Sequence, residues 1–436
     1  MADLWFRLPV LAQDMLLLGA LLAPVIVLGT VLLRGFRLAP LLLSILRRER
    51  GTALVFLALI AVSVGIGVAV TAQDRALRDG SARAAQKFDL IVAAPGSETT
   101  LMFAAVYLQP ADVDLIDGAT FDRIAAHPRV TLAAPLAFGD SWQGAPIVGS
   151  TAQFVHHLSD GLSEGRMFTA ETEAIAGARV ALAIGDRFEP AHGVGLSAEA
   201  GAHGFDYTVV GRMPLTGSPW DRALIVPVES VWMTHGLASG HGPGWDGTLG
   251  PPFDPAHFPG TPAVLVRGET LADAYGLRST FNRNETMAFF PGTVLARLHA
   301  LLGDVTEVMR VLAVLTQILV AGSVLVGLAM IARLMARRTA LLRTLGAPRR
   351  FVFALVWSIG TALVTAGAGL GLLLGLGASR AVGRIVTART DILVTPTLGW
   401  AEAHLVAGFV LVAALLALLP AWAAMRRPIL TDLRTS

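Results

Sequence analysis

The side chains able to do chemistry are supplied unevenly in this sequence. Seven of the ten histidines, His156, His157, His192, His203, His235, His241 and His257, fall within one stretch of about a hundred residues. Neutral imidazole is a common zinc ligand, and carboxylates such as Asp206 or Asp221 could complete a site. No HExxH pair occurs, which argues against a zinc protease, and no G-x-S-x-G turn supports a Ser-His-Asp hydrolase. His192, His203 and His235 form the trio to test for metal, against the more frequent case of a solvated or structural histidine. With no cysteine, disulfides, thiol catalysis and thiolate metal sites are all removed. Of 34 basic residues only Lys87 is a lysine, and no glycine loop precedes it in Gln86-Lys87-Phe88-Asp89. A P-loop needs a lysine behind its glycines to reach the phosphates. This chain is therefore expected to hydrolyse no nucleotide itself.

The arginines are grouped differently. Val311–Ala332 is a run of 22 residues without a charge, followed by Arg333 and then Arg337-Arg338-Thr339-Ala340-Leu341-Leu342-Arg343-Thr344-Leu345-Gly346-Ala347-Pro348-Arg349-Arg350. Such a run can cross a hydrocarbon core of roughly 30 Å, and arginines collect at the cytoplasmic end of membrane helices. On physics alone the segment is a topology signal. No basic patch with interleaved aromatics occurs, so a nucleic-acid partner is not expected.

The elements that must position these residues follow from composition. With 54% hydrophobic and 15% charged residues in 436, the chain is too apolar for a soluble protein and too polar to lie wholly in lipid. The pattern predicts a membrane helix at 12–34, a cytoplasmic interfacial helix at 35–51, and a second membrane helix and stalk at 52–73. An extracytoplasmic domain follows at 74–304, then a stalk and membrane helix at 305–336 and an elbow at 337–350. Further spans at 351–377 and 402–425 flank an outer loop at 378–401, and a cytoplasmic tail closes the chain at 426–436. The first apolar run carries its positive charge after it, unlike a signal peptide, so an uncleaved helix with its N-terminus outside is expected. The three arginine-bearing segments hold 14 arginines and two acids, Glu49 and Asp432. That bias puts the C-terminus inside.

Residues 74–304 carry 25 acids against 15 bases and contain no apolar run of membrane length. Val130–Leu136, Ile147–Val148, Tyr207–Val210, Ala223–Val226 and Ala263–Val266 read as strands; Thr120–Ala126, Ala176–Ile184 and Thr270–Phe281 read as helices. The domain is expected to be mixed α/β, with an irregular excursion over Gly236–Pro262. Gly367, Gly371 and Gly375, four apart, place three bare patches on one helix face for close packing. The spans are read as free of ionisable residues, which argues against a conventional small-solute channel.

Four pieces in order resemble the FtsX-like (MacB-type) ABC permeases. They are Leu41–Gly67 with its Arg-Arg-Glu-Arg-Gly-Thr entry, and an outer domain containing Val148-Gly149-Ser150, Gly165-Arg166-Met167-Phe168 and Val209-Val210-Gly211. The elbow around Leu342–Ala347 is the third, and Leu419-Pro420-Ala421 to Leu433-Arg434 the fourth. Phe88-Asp89-Leu90-Ile91-Val92 and Thr216-Gly217-Ser218-Pro219-Trp220-Asp221-Arg222 resemble a narrower subgroup. The first membrane helix is an addition to the family's usual four, and Thr339 stands where the family often has an acid.

The resemblance implies an α-helical integral membrane protein of about five spans, with a MacB-type periplasmic core domain on two stalks, in a bacterial inner membrane. It implies a permease subunit paired with a second copy, homo- or heterodimeric, and with two copies of a separate ATPase that binds ATP and Mg. Arg337, Arg338, Leu342, Arg343, Leu345, Gly346 and Ala347 would couple the chain to that ATPase, for export or extraction of a substrate. A transport-independent regulator of a periplasmic partner, such as a cell-wall hydrolase, has the same outline. A membrane-anchored metal-binding protein or hydrolase rests only on the histidines.

Overall fold

The architecture comes from a computed structural model that describes residue 5 and residues 7–109, 111–193, 206–334 and 336–426; at 192, 302, 304–306, 328, 331–334 and 336–338 it describes backbone only. The chain divides into two compact units. One comprises Met1–Ala76, Gly303–Arg384 and Thr395–Ser436, the other Leu77–Leu302 and Ile385–Val394.

The second unit is built on a sheet of eleven strands: β1 Leu90–Ala93, β2 Val130–Trp142, β3 Ala145–Ser150, β4 Glu164–Gly165, β5 Glu173–Ala176, β6 Arg187–Phe188, β7 Ala191–His192, β8 Tyr207–Arg212, β9 Leu224–Pro227, β10 Ala263–Gly268 and β11 Met287–Phe289. Their order is β11-β1-β10-β2-β3-β9-β5-β8-β4, with β6 paired to β8 and β7 to β2. Most pairs are antiparallel; β3–β9 and β5–β8 are parallel. β1 and β9 are apolar and buried at every position, and β10 through Val266, because both faces are covered. Ile91, Ala93, Ala263, Leu265 and Ile225 face one core, into which helices Glu98–Tyr107 and Ala152–Ser159 send Met102, Val106, Phe154 and Leu158. Leu90, Val92, Val264, Val266, Leu224 and Val226 face another, filled by Phe121, Ile124, Val231, Trp232 and Leu277 from helices Gly118–Ala125, Val228–Thr234 and Leu271–Phe281. The result is helix, sheet, helix.

The local sequence starts these helices in the usual way. Ser97, Asp117 and Thr151 accept hydrogen bonds from the backbone N–H groups of Thr100, Thr120 and Phe154, and Thr270 with Asp273 forms a reciprocal capping box. Each such cap stabilises a short helix by about 1 kcal/mol.

One expected helix is not there. Ala176–Ile184 begins as the end of β5 and continues as turns. The Gly177 and Arg179 N–H groups donate to Ala223 and Asp221 carbonyls, at 2.8 and 2.7 Å. The Arg212 guanidinium bonds the carbonyls of Gly177, Val180 and Leu182. Long-range partners thus take the groups that a helix would have paired internally. β2 also runs six residues beyond the expected Leu136, through a register shift between Phe138 and Asp140.

The first unit is helical. Five helices are long and apolar enough to cross a membrane: Val10–Leu33, Arg50–Ala85, Glu307–Gly327 within the longer helix Pro291–Leu334, Arg349–Thr390, and Trp400–Arg426. The boundary between the units falls inside three long helices, after Ala76, after Leu302 and after Arg384. Pro291 opens its helix fourteen residues before the expected Val305, because proline at a first helical turn loses no bond and nothing downstream breaks the pattern. Likewise the loop expected from 378 is helical through Thr390, where Arg380, Arg384 and Arg389 are good helix formers. The last span turns at Ala417 between helices Trp400–Leu416 and Leu418–Arg426. Pro420 cannot donate to the Leu416 carbonyl, which accounts for the break. The tail from 427 lies outside the described residues.

Candidate functional site

The arginine elbow is a helix, a tight turn and a second helix. Ala336–Thr344 is helical. Gly346 then takes φ +99°, its N–H donates to the Arg343 carbonyl at 3.1 Å, and the Ala347 N–H donates to the Leu342 carbonyl at 3.0 Å. These two bonds with a left-handed glycine are a Schellman cap, which satisfies carbonyls that a helix end leaves open. Pro348 follows, and Arg349–Thr390 starts at once. The turn exposes its hydrophobic edge: Leu345 is 85% exposed, the highest value for any large apolar residue described, and Leu341 is 49% exposed. Thr339 and Ala340 are buried on the opposite side. Thus Leu342, Arg343, Leu345, Gly346 and Ala347 come together in one turn. The side chains of Arg337 and Arg338 lie outside the described residues. Arg350 sits with its guanidinium 5.1 Å from the Phe36 ring centre, and Phe36 meets Phe351 edge-on at 5.4 Å.

The three glycines meet helix Arg50–Ala85. A Cβ on Gly371 would lie 2.8 Å from both the Ala61 carbonyl oxygen and Val64 Cβ; on Gly375, 2.5 Å from the Gly65 carbonyl oxygen; on Gly367, 2.7 Å from Ile60. Gly65 answers from the other helix, its Cβ position 3.2 Å from the Gly371 carbonyl oxygen. The two backbones touch, with no room for a side chain between them.

The structure corrects the reading that the spans lack ionisable residues. Glu402, fully buried near the start of helix Trp400–Leu416, accepts from Arg75 Nη1 at 2.9 and 2.8 Å and from the Gly399 N–H at 2.8 Å. Arg75 also donates to the Thr397 carbonyl. His404 Nε2 lies 3.0 Å from the Asp14 carbonyl oxygen. A glutamate three residues after a glycine that starts a helix is a capping signal, and it could have drawn attention to Glu402; nothing in the sequence couples it to Arg75, 327 positions away.

The histidines do not gather. His203 lies outside the described residues, and of His192 only the backbone is described, opposite Asp140 in the β2–β7 pair. His235 sets Nδ1 2.8 Å from the Val231 carbonyl oxygen and Nε2 3.6 Å from Asp140. His241 stacks on Trp245 and approaches buried Glu229 at 3.3 Å; His257 meets Asp254 at 2.7 Å; His157 meets the Lys87 carbonyl oxygen at 2.7 Å. Among the described residues no three His, Cys, Asp or Glu side chains are placed to share a metal ion.

The Thr216–Arg222 motif folds on itself. Asp221 is fully buried and accepts from the Thr216 N–H and hydroxyl and from the Gly217 N–H at 2.7 to 2.9 Å. Trp220 packs between Phe88 and Phe154, with ring centres 5.9 and 4.9 Å away. Arg222 pairs with Asp391 at 2.8 Å. These contacts make the motif a structural clasp of the α/β unit.

No family model matches the chain, and no curated protein matches it. Among solved structures, the extracellular domain of the noncanonic ABC-type transporter YknZ from Gram-positive bacteria is similar over 46% of this chain and 98% of that domain, at 11% identity and a TM-score of 0.28. At that TM-score the likeness carries no weight for fold or function.

Proposed function

We propose that this chain is the permease subunit of an FtsX-like ABC system in a bacterial inner membrane. In this reading it is a multi-pass dimer whose elbows engage two copies of a separate ATPase, and its α/β unit faces the periplasm. The observation that carries the reading is the elbow: a Schellman turn between the arginine-bearing helix Ala336–Thr344 and the long helix Arg349–Thr390, presenting exposed Leu345 beside Arg343. A loop that only sets topology needs its arginines. It does not need an apolar knob held at a fixed angle. ATP and Mg belong to the partner, because the lone Lys87 precludes a P-loop here.

The experiment is to purify the chain from native membranes in mild detergent, identify what accompanies it, and assay ATP hydrolysis with and without Arg343→Glu and Leu345→Asp. The reading expects a P-loop ATPase in the complex and its release or uncoupling by either change. Recovery without any ATPase, with both variants behaving as wild type, would reduce the elbow to a topology signal.

The glycine seam favours a second reading, in which motion crosses the membrane and no cargo does. Helices in backbone contact move together and leave no passage between them. The α/β unit would then control a periplasmic partner such as a cell-wall hydrolase. Hydrolase activation that needs ATP turnover supports this version; ATPase activity stimulated by a substrate supports transport.

A further inference from the structure

The helical unit holds a groove that none of the roles above uses. It lies between helix Val10–Leu33, the short helix Ala39–Arg48 and helix Arg349–Thr390, and its volume is about 770 Å³. That is within the roughly 300–1,000 Å³ of sites that hold a small molecule. Val25, Gly29 and Leu33 line it at four-residue intervals along one helix, facing Trp357 and Ala362 of another. Apart from the hydroxyls of Ser358, Thr361 and Thr365, the lining is apolar except at one end. There Arg37, exposed and just past the end of the first helix, is the single charged residue of the lining. Arg350 stands close by over Phe36, itself a lining residue. No carboxylate lines the groove to balance these cations.

A slot with mostly apolar walls and Arg37 at its end, with Arg350 nearby on Phe36, fits an amphiphile with a negative head. Basic pockets between membrane helices, at the end that carries the arginines, recognise anionic phospholipid head groups. Guanidinium suits phosphate particularly well, because its N–H groups form a planar fork. Gly29 keeps the slot open: a Cβ there would stand 3.6 Å from the Trp357 ring, in ordinary contact, and a longer side chain would extend into the groove.

We propose that this groove is a binding site for an anionic phospholipid, with an acyl chain along Val25, Gly29 and Leu33 and the phosphate at Arg37 and Arg350. The proposal rests on the reading that these helices cross a membrane, and it is independent of any ATPase. To test it, the full chain is purified in mild detergent and exchanged into micelles containing equal phosphatidylglycerol and phosphatidylcholine. Retained lipid is then counted by native mass spectrometry.

The expected result is retention of phosphatidylglycerol over phosphatidylcholine by about tenfold, lost in the Arg37→Gln, Arg350→Gln double variant. Gly29→Leu should reduce retention of both lipids while the unfolding temperature without lipid stays unchanged. Should Gly29→Leu fold poorly, the arginine variant carries the test alone. Equal retention of the two lipids, a preference that survives the double arginine change, or displacement of the lipid by inorganic phosphate alone would overturn the proposal. Recovery of the chain from the soluble fraction, without membranes, would overturn the membrane reading itself. A chain that is found in membranes and shows no preference sinks only the lipid site.

Discussion

Two helices of the first unit have nearly the same apolar character and opposite surroundings. The apolar window of Arg349–Thr390 is 67% buried within the chain, while that of Glu307–Gly327 is 17% buried. Length and hydrophobicity state the solvent a helix tolerates, and they do not state its neighbours. What separates the pair is how far along the helix close packing extends, since the second also meets Phe56, but only at Gly327 near its end. The first puts glycines against helix Arg50–Ala85 at backbone distance, whereas the second presents Ile318, Leu319 and Val326 outward, at 62, 72 and 70% exposure. An outward apolar stripe of that kind suits lipid or the second permease copy proposed above.

The sharpest way to break this contrast is through charge. Arg75→Ala leaves the Glu402 carboxylate buried without its cation, and should cost about 3–5 kcal/mol in unfolding experiments in detergent. Arg75→Leu together with Glu402→Leu should recover most of that loss, since an apolar pair can replace a buried ion pair. The control is Arg310→Ala. Its partner Glu307 is on the exposed helix, both side chains are more than half exposed, and the loss should stay under about 1 kcal/mol. Equal losses at the two sites would mean that the packed and bare helices do not differ as described.

Glycine gives the next largest effect. Gly371→Leu must push apart two helices in backbone contact and should cost about 1–3 kcal/mol. Gly322→Leu, where a Cβ meets nothing within 4 Å, should change stability by no more than about 0.5 kcal/mol. A dimer lost in Gly322→Leu with its unfolding unchanged would assign the bare helix to the partner copy. The elbow glycine sits between these cases: Gly346→Ala meets no atom but strains a φ of +99°, for about 1–2 kcal/mol. If that residue holds Leu345 at a fixed angle, coupling to the ATPase partner proposed above should fall further than stability does.

How much of this was legible beforehand depends on the range of the forces involved. Long apolar runs and the Leu345-Gly346-Ala347-Pro348 turn are local signals, readable because they depend on neighbours within a few residues. Helices at Thr120–Ala126 and Thr270–Phe281 were legible for the same reason, each having its cap in the sequence. Ala176–Ile184 misled because Arg212, Asp221 and Ala223 take its backbone groups from 30 or more positions away. The ends of Pro291–Leu334 and Arg349–Thr390 misled because a bilayer estimate counts apolar residues, while a helix continues as long as its backbone pairs. At the candidate sites the same split holds. Residue types picked out the elbow and the glycines, but Arg75 with Glu402 needed the fold to bring them together.

The smallest effect carries the exposed-versus-buried contrast into the α/β unit. Glu173 is 14% exposed and accepts from Arg166 and from the Thr169 and Ala170 N–H groups; Arg166 foremost, then those backbone bonds, pull its pKa from 4.5 down to about 2. Asp160, 79% exposed, is also held below its ordinary value, by Lys87, but stands in open water. A carboxylate with a depressed folded-state pKa stabilises the fold fully above its unfolded value and loses that contribution as pH falls through the folded one. For Glu173 the window runs from 4.5 down to about 2. Because Arg166 is 54% exposed, solvent screens the pair and keeps its contribution small. The stability gap between wild type and Glu173→Gln, followed by denaturant unfolding of the full chain, should therefore be constant from neutral pH to 4.5 and shrink below it. A gap that stays flat through that window would show that Glu173 contributes shape and hydrogen bonds alone, and that its charge is spent on solvent as fully as that of Asp160.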